Sequence, residues 1–94
     1  MQTAHFVIYA FVIAPAPAVR LGVTVARRIG GAVVRNRVKR RVRECFRVTL
    51  RGMLPTGTDL VVIARVGAGA MPWAPLRDEL LGAAGIVARR LAAL

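Results

Sequence analysis

The sequence predicts an α+β fold in the order β-β-α-β-α, and three observations carry that expectation. Val34, Val38, Val42, Cys45, Phe46 and Thr49 recur at helical spacing inside a dense run of cations. Leu60-Val-Val-Ile-Ala64 is a short continuous apolar run behind a turn signal, the pattern of a buried strand. Leu76, Leu80, Ala84, Val87, Leu91 and Leu94 again fall three or four apart, which places a helix at the end of the chain. Ninety-four residues are enough for one domain, 1–94, with a small core.

Each element has its own signals. His5 to Ile13 alternates Val7, Tyr9 and Phe11 onto one face, because successive side chains of a strand point to opposite sides. Both faces of this stretch are apolar, which predicts a strand covered on both sides. Leu21 to Ala26 reads as a second strand, and Gly30-Gly31 as the break before the first helix. Pro55-Thr-Gly-Thr-Asp59 is a turn leading into the third strand, and Gly67-Ala-Gly-Ala-Met-Pro72 a loop leading to the last helix. That helix carries Asp78 and Glu79 early and Arg89 and Arg90 late, in agreement with its macrodipole. Gly82 and Gly85 each weaken it by roughly 1 kcal/mol relative to Ala. Trp73, just ahead of it, reads as a packing anchor.

The first helix holds most of the functional information. Between Arg35 and Arg51 stand eight cations (Arg35, Arg37, Lys39, Arg40, Arg41, Arg43, Arg47, Arg51) against one acid, Glu44, in a chain of net charge +11. An ordinary solvated helix mixes signs at i,i+4. Here Arg35–Lys39, Lys39–Arg43, Arg43–Arg47, Arg47–Arg51 and Arg37–Arg41 all repel, at roughly 0.2–0.5 kcal/mol each, and only Arg40–Glu44 attracts. Arg35 and Arg37 also sit near the helix start, where the macrodipole disfavours cations. A local rule broken this consistently marks a functional surface, and a surface so one-sided fits a polyanion, above all nucleic acid.

Other classes are excluded on composition. One cysteine allows no internal disulfide, and Cys45 lies on the apolar stripe as a small core residue. His5 is the sole histidine and Glu44, Asp59, Asp78 and Glu79 are scattered, so neither a zinc site nor a protein-borne two-metal nuclease site can be assembled. Any cleavage chemistry therefore lies outside this chain. The stretch from Phe6 to Val19 is interrupted by Pro15 and Pro17 and is shorter than the roughly 20 residues a span needs. It lacks the preceding cations of a signal peptide, so a cytoplasmic location is expected.

The run from Arg20 to Phe46-Arg47, with Arg35-Asn-Arg-Val-Lys-Arg-Arg-Val-Arg43 after a strand and a basic Gly-containing turn, resembles the protein subunit of bacterial ribonuclease P. The resemblance covers nearly the whole chain from about Phe6. It implies a two-layer α/β sandwich of the ribosomal protein S5 domain 2-like type with a left-handed β-α-β crossover, where pattern alone would suggest a right-handed one. It further implies a single RNA-binding domain that assists an RNA enzyme: the RNA subunit, with Mg2+, cuts the 5′ leader from precursor tRNA. The protein would need no cofactor of its own and contribute no catalytic residue and no metal ligand. Its implied partners are the catalytic RNA and precursor tRNA, with no membrane and no DNA.

Residue by residue, the resemblance assigns Arg35, Asn36, Arg37 and Arg40 to the catalytic RNA. It assigns Val7, Tyr9, Arg27, Arg28, Lys39 and Arg43 to the leader, held in a cleft between the basic helix and a sheet face. An aromatic beside cations suits a single strand, since any base stacks on it while cations hold the phosphates. The family carries a basic, aromatic-bearing helix before the first strand. This chain reaches strand pattern by Phe6, so that helix is expected to be absent and nothing is carried over for it. Gly31 stands where an asparagine is common.

Three rival readings share parts of the pattern. A major-groove DNA reader would carry several base-reading side chains on one helix face, whereas Asn36 is the only amide here. A membrane-surface helix would need the narrow dry face that the core requires. A ribosomal-type structural RNA-binding protein without a processing role shares both fold and charge and is the nearest alternative.

Overall fold

The computed structural model of the protein describes residues 1–12 and 18–93. Strands β1 (Phe6–Val12) and β2 (Arg20–Thr24) come first, followed by helices α1 (Ala32–Cys45) and α2 (Arg51–Met53), strand β3 (Thr58–Ala64) and helix α3 (Trp73–Ala92). The sequence pattern thus anticipates the order of the main elements, and the fold is α+β. Ile13 and Leu94, expected in the first strand and on the last helix, lie outside the described residues.

Strand β3 is central in the order β1-β3-β2. It runs antiparallel to β1, from Phe6 opposite Ala64 to Val12 opposite Thr58. It runs parallel to β2, from Arg20 opposite Asp59 to Thr24 opposite Ile63. A parallel pair cannot be closed by a tight hairpin; the segment containing α1 makes the crossover. Phe6 and Ile8 of β1 join Leu60, Val62 and Ala64 of β3 on the buried face. Val38, Val42 and Cys45 of α1, and Leu76, Leu80, Ala84 and Val87 of α3, cover that face. Burial holds the Cys45 thiol above its ordinary pKa, so it behaves as a core residue. Among the described residues no helix is long and apolar enough to cross a membrane.

Three expectations need correction. First, β1 is not covered on both sides. Its Tyr9 and Phe11 are 47% and 54% exposed, because both long helices pack on one side of the sheet and no described element lies over the other. Strand β3 shows the same asymmetry, alternating buried and half-buried residues despite its continuous apolar sequence. Second, the apolar stripe of the first helix changes phase. After Cys45 the helix widens into a π-turn, Phe46–Leu50. The i→i+5 pattern accommodates one extra residue, so Leu50 is fully buried and Thr49 only partly. Third, Trp73 is the first residue of α3 rather than lying ahead of it.

Residues 1–5 fold back along the outer edge of β1. The Met1 ammonium donates to the Ile8 carbonyl at 2.7 Å, and the Ile8 N–H donates to the Met1 carbonyl at 2.7 Å. Glu79 of α3 clamps this strap: it accepts from Thr3 Oγ1 at 2.6 Å, from the His5 N–H at 2.8 Å, and from His5 Nδ1 at 2.7 Å. Burial alone would raise the Glu79 pKa, but the hydrogen bonds from Thr3 and His5 outweigh it and hold the carboxyl below its ordinary 4.5.

A carboxyl depressed by folding stabilises the protein above its unfolded pKa and loses that contribution as pH falls through the folded value. Stability should therefore decline below about pH 4.5, and Glu79→Gln should be less stable at pH 7 while flattening the acid side of the profile. Urea denaturation across pH 3–7 checks this; a parallel downward shift without flattening would show that Glu79 acts by packing alone.

Candidate nucleic-acid interface

Helix α1 sorts its cations into two groups. Asn36, Arg40, Arg43 and, beyond the helix, Arg47 and Arg51 are exposed, whereas Arg35, Arg37, Lys39 and Arg41 are half-buried. Two of the half-buried guanidiniums brace the loop before α3. Arg37 Nη2 donates to the Gly69 carbonyl and Arg41 Nη1 to the Met71 carbonyl, both at 2.8 Å. The loop approaches closely because Gly69 lacks a side chain; a Cβ there would stand 2.7 Å from Val34 Cγ1 and 3.1 Å from the Ile29 carbonyl oxygen. The Nε atoms of Arg35 and Arg37 are buried without a hydrogen-bond acceptor, a penalty of about 1–3 kcal/mol each.

The acid on α1 also departs from expectation. Glu44 pairs with Arg47, at 2.6 Å and 3.3 Å, and not with Arg40. Arg47 holds the Glu44 carboxyl below its ordinary range, chiefly through that hydrogen bond. Arg40 is left without an ion pair among the described residues. Arg27 and Arg28 stand exposed on a 3-10 turn, Arg27–Ile29, which packs against α1.

A second surface lies on the uncovered face of the sheet. Register places Val7–Ile63–Thr24, Tyr9–Val61–Gly22 and Phe11–Asp59–Arg20 in three rows across it. The rings of Tyr9 and Phe11 stack with centroids 6.5 Å apart and planes 18° from parallel. Beside them, Arg20, Gly22, Asp59 and Val61 line a hollow of about 310 Å³, opened by the missing side chain at Gly22. Arg20 grips Asp59 with two 2.8 Å hydrogen bonds and holds its carboxyl below the usual range. At the outer edge of β1, Tyr9 shares a hollow of about 230 Å³ with Arg90 and Leu91.

The structure thus brings Val7 and Tyr9 together, and separately gathers Arg35, Asn36, Arg37, Lys39, Arg40 and Arg43 on α1, with Arg27 and Arg28 on the adjoining turn. It places the two groups on different layers. Helix α1 covers the buried face and meets the sheet mainly at β2, so the edge at β2 is where the surfaces come closest. Sequence reasoning left Phe11, Arg20 and Arg90 unassigned. Phe11 was legible, two residues after Tyr9 on the same face; Arg20 and Arg90 are placed by pairing and packing that no local pattern encodes. Among the described residues, no three His, Cys, Asp or Glu side chains gather. What these surfaces supply is positive charge, N–H donors and aromatic faces.

A small α+β domain with a cationic helix on one layer and an open aromatic face on the other has the equipment of a class of compact domains that combine charge and stacking to take up RNA. A family model described as Ribonuclease P matches residues 1–87, and the chain belongs to that family. It is 48% identical over 64 residues to the ribonuclease P protein component of Caulobacter vibrioides, covering 68% of this chain and 43% of that protein. With the counterpart from Geobacillus kaustophilus it shares 41% over 77 residues, covering 82% and 63%. The chain therefore spans between about two fifths and two thirds of the length of these curated relatives. Its fold is similar to the RNase P protein of Thermotoga maritima, with a TM-score of 0.81 at 34% identity over 90% of this chain and 81% of that one. The Staphylococcus aureus protein gives 0.82 at 31% identity, over 93% and 78%.

Bracing and binding should separate by mutation. Arg37→Ala removes a hydrogen bond from a charged donor and should cost about 1.5–3 kcal/mol of stability. Asn36→Ala and Arg40→Ala touch exposed side chains and should leave the midpoint of unfolding within about 0.5 kcal/mol while weakening RNA binding. Denaturation alongside filter binding of structured RNA distinguishes them; equal destabilisation by all three would refute the division.

Proposed function

We propose that this chain is the protein subunit of a ribonuclease P, binding the catalytic RNA and the 5′ leader of precursor tRNA to assist endonucleolytic removal of the leader. The observation that carries the reading is the pairing of a free cationic stripe on α1 with an open, stacked aromatic pair on the sheet. Arg35, Asn36, Arg37 and Arg40 would face the catalytic RNA, where a folded phosphate backbone meets several guanidiniums at once. Val7 and Tyr9, extended by Phe11, would receive leader bases. Lys39 and Arg43, with Arg27 and Arg28 on the turn after β2, would hold leader phosphates at the sheet's β2 edge.

The bond-breaking step would belong to the RNA subunit, with Mg2+ bound there. The protein's contribution is to position substrate and neutralise charge, which raises affinity without a reactive group of its own. A cytoplasmic site of action follows from that role.

The deciding experiment is cleavage of a precursor tRNA by a bacterial ribonuclease P RNA at low magnesium, with and without this chain. Restored cleavage supports the subunit role; RNA binding without any gain in cleavage would favour a ribosomal-type structural role. Neutralising about six phosphates of a single strand gives a slope near −4 for log affinity against log salt, and a slope shallower than about −2 would refute the cationic helix as a main contact. Tyr9→Ala should weaken leader binding by about 1–3 kcal/mol with little change in catalytic-RNA affinity, checked by titrating the two RNAs separately.

A further inference from the structure

Trp73 is the only tryptophan of the chain, and it is only half-buried. With Arg40, Arg41 and Glu44 of α1 it lines a cavity of about 300 Å³, on the helical layer and apart from the Tyr9–Phe11 face. Its position is fixed from two sides. Arg41 holds the Met71 carbonyl, two residues before it, and Arg37 holds the Gly69 carbonyl. Met71 itself is buried. The backbone that carries the indole is therefore held in place at the mouth of a cleft, which lowers the ordering cost of binding there.

The other walls say what would enter. Arg40 has no ion-pair partner among the described residues, and Arg41 uses one Nη on Met71, leaving further N–H donors. Glu44 would repel a phosphate, but its charge is countered by Arg47 at 2.6 Å. A carboxylate has about four lone-pair sites, so Glu44 retains acceptor capacity for an amino group. An aromatic platform, cations for the flanking phosphates and one acceptor together describe a pocket for an unpaired nucleobase.

We propose that the Trp73–Arg40–Arg41–Glu44 cleft receives one unpaired base of the catalytic RNA, stacked on the indole, with preference for a base carrying an exocyclic amino group. This deepens the subunit reading and rests on it, because Arg40 is already assigned to that RNA. It turns a charge contact that reads only backbone into one that also reads an exposed base.

The indole reports on its own site. Titration of the unsubstituted chain with a bacterial ribonuclease P RNA should quench tryptophan fluorescence saturably, with the midpoint at the dissociation constant found by filter binding. Trp73→Leu should weaken that affinity about five- to 150-fold, the worth of one stacked base, and Trp73→Phe should restore most of it. Short oligocytidine should quench more than oligouridine, and Glu44→Gln should narrow the difference. Binding with unchanged fluorescence, and with equal affinity for Trp73→Leu, would overturn this proposal while leaving the subunit role intact. Equal quenching by the two oligonucleotides would overturn the role given to Glu44. No binding by the unsubstituted chain would overturn both the cleft and the subunit reading.

Discussion

Each turn of α1 sets like charges one above the other, and the repulsion has to be met from the helix's other side. The three repelling i,i+4 pairs that lie within α1, Arg35–Lys39, Lys39–Arg43 and Arg37–Arg41, cost about 0.6–1.5 kcal/mol together at low salt. Val38 and Val42 are fully buried beneath them, and each contributes roughly 1.5–3 kcal/mol, so the dry face outweighs the charged one. Arg37 and Arg41 add to this by turning two of the repelling cations into braces for the 69–71 loop. The buried face of the sheet, the π-turn that brings Leu50 into the core, and the start of α3 are all arranged around holding this one helix.

That arrangement leaves the sheet with only one side to bury. The long helices are both committed to the face of Phe6, Ile8, Leu60 and Val62, and Val7, Tyr9, Phe11, Val61 and Ile63 share the other. An exposed apolar patch of this kind fits the binding role proposed for it, and the Tyr9–Phe11 stack gives it a directional, flat chemistry suited to bases. Charge and stacking are thereby kept on different layers, joined at the β2 edge. Cations on the aromatic face itself would compete with bases for the rings through cation–π contact; Arg20 beside it is tied to Asp59, and Arg90 stands at the rim.

The residues that were legible in the sequence are those whose role follows from local period. The cationic stripe, the alternation that puts Tyr9 on a face, and the last helix are all local patterns. What escaped is set by contacts between segments far apart in the chain. No spacing rule shows that Arg37 and Arg41 reach carbonyls thirty residues on, or that Glu79 collects Thr3 and His5. The π-turn defeated a 3.6-residue period by a single residue. Two-sided burial of β1 failed for another reason: apolar composition tells how much surface could be buried, not whether a covering element is there.

Because binding and stability draw on the same side chains, they are coupled in sign. Neutralising an exposed cation such as Arg43 relieves its repulsion with Lys39 and should favour the free fold, while it would subtract a phosphate contact from the proposed bound one. Loss of Arg37 should lower stability first, since its guanidinium is already spent on the Gly69 carbonyl. The free chain is therefore held below the stability its core could support, with the shortfall concentrated on α1 and the uncovered sheet face, as expected where function is stored as local strain. A polyanion bound as proposed would remove both deficits together, by neutralising α1 and covering the aromatic pair, so RNA bound only by the native form would stabilise the fold in proportion to the logarithm of its concentration above the dissociation constant.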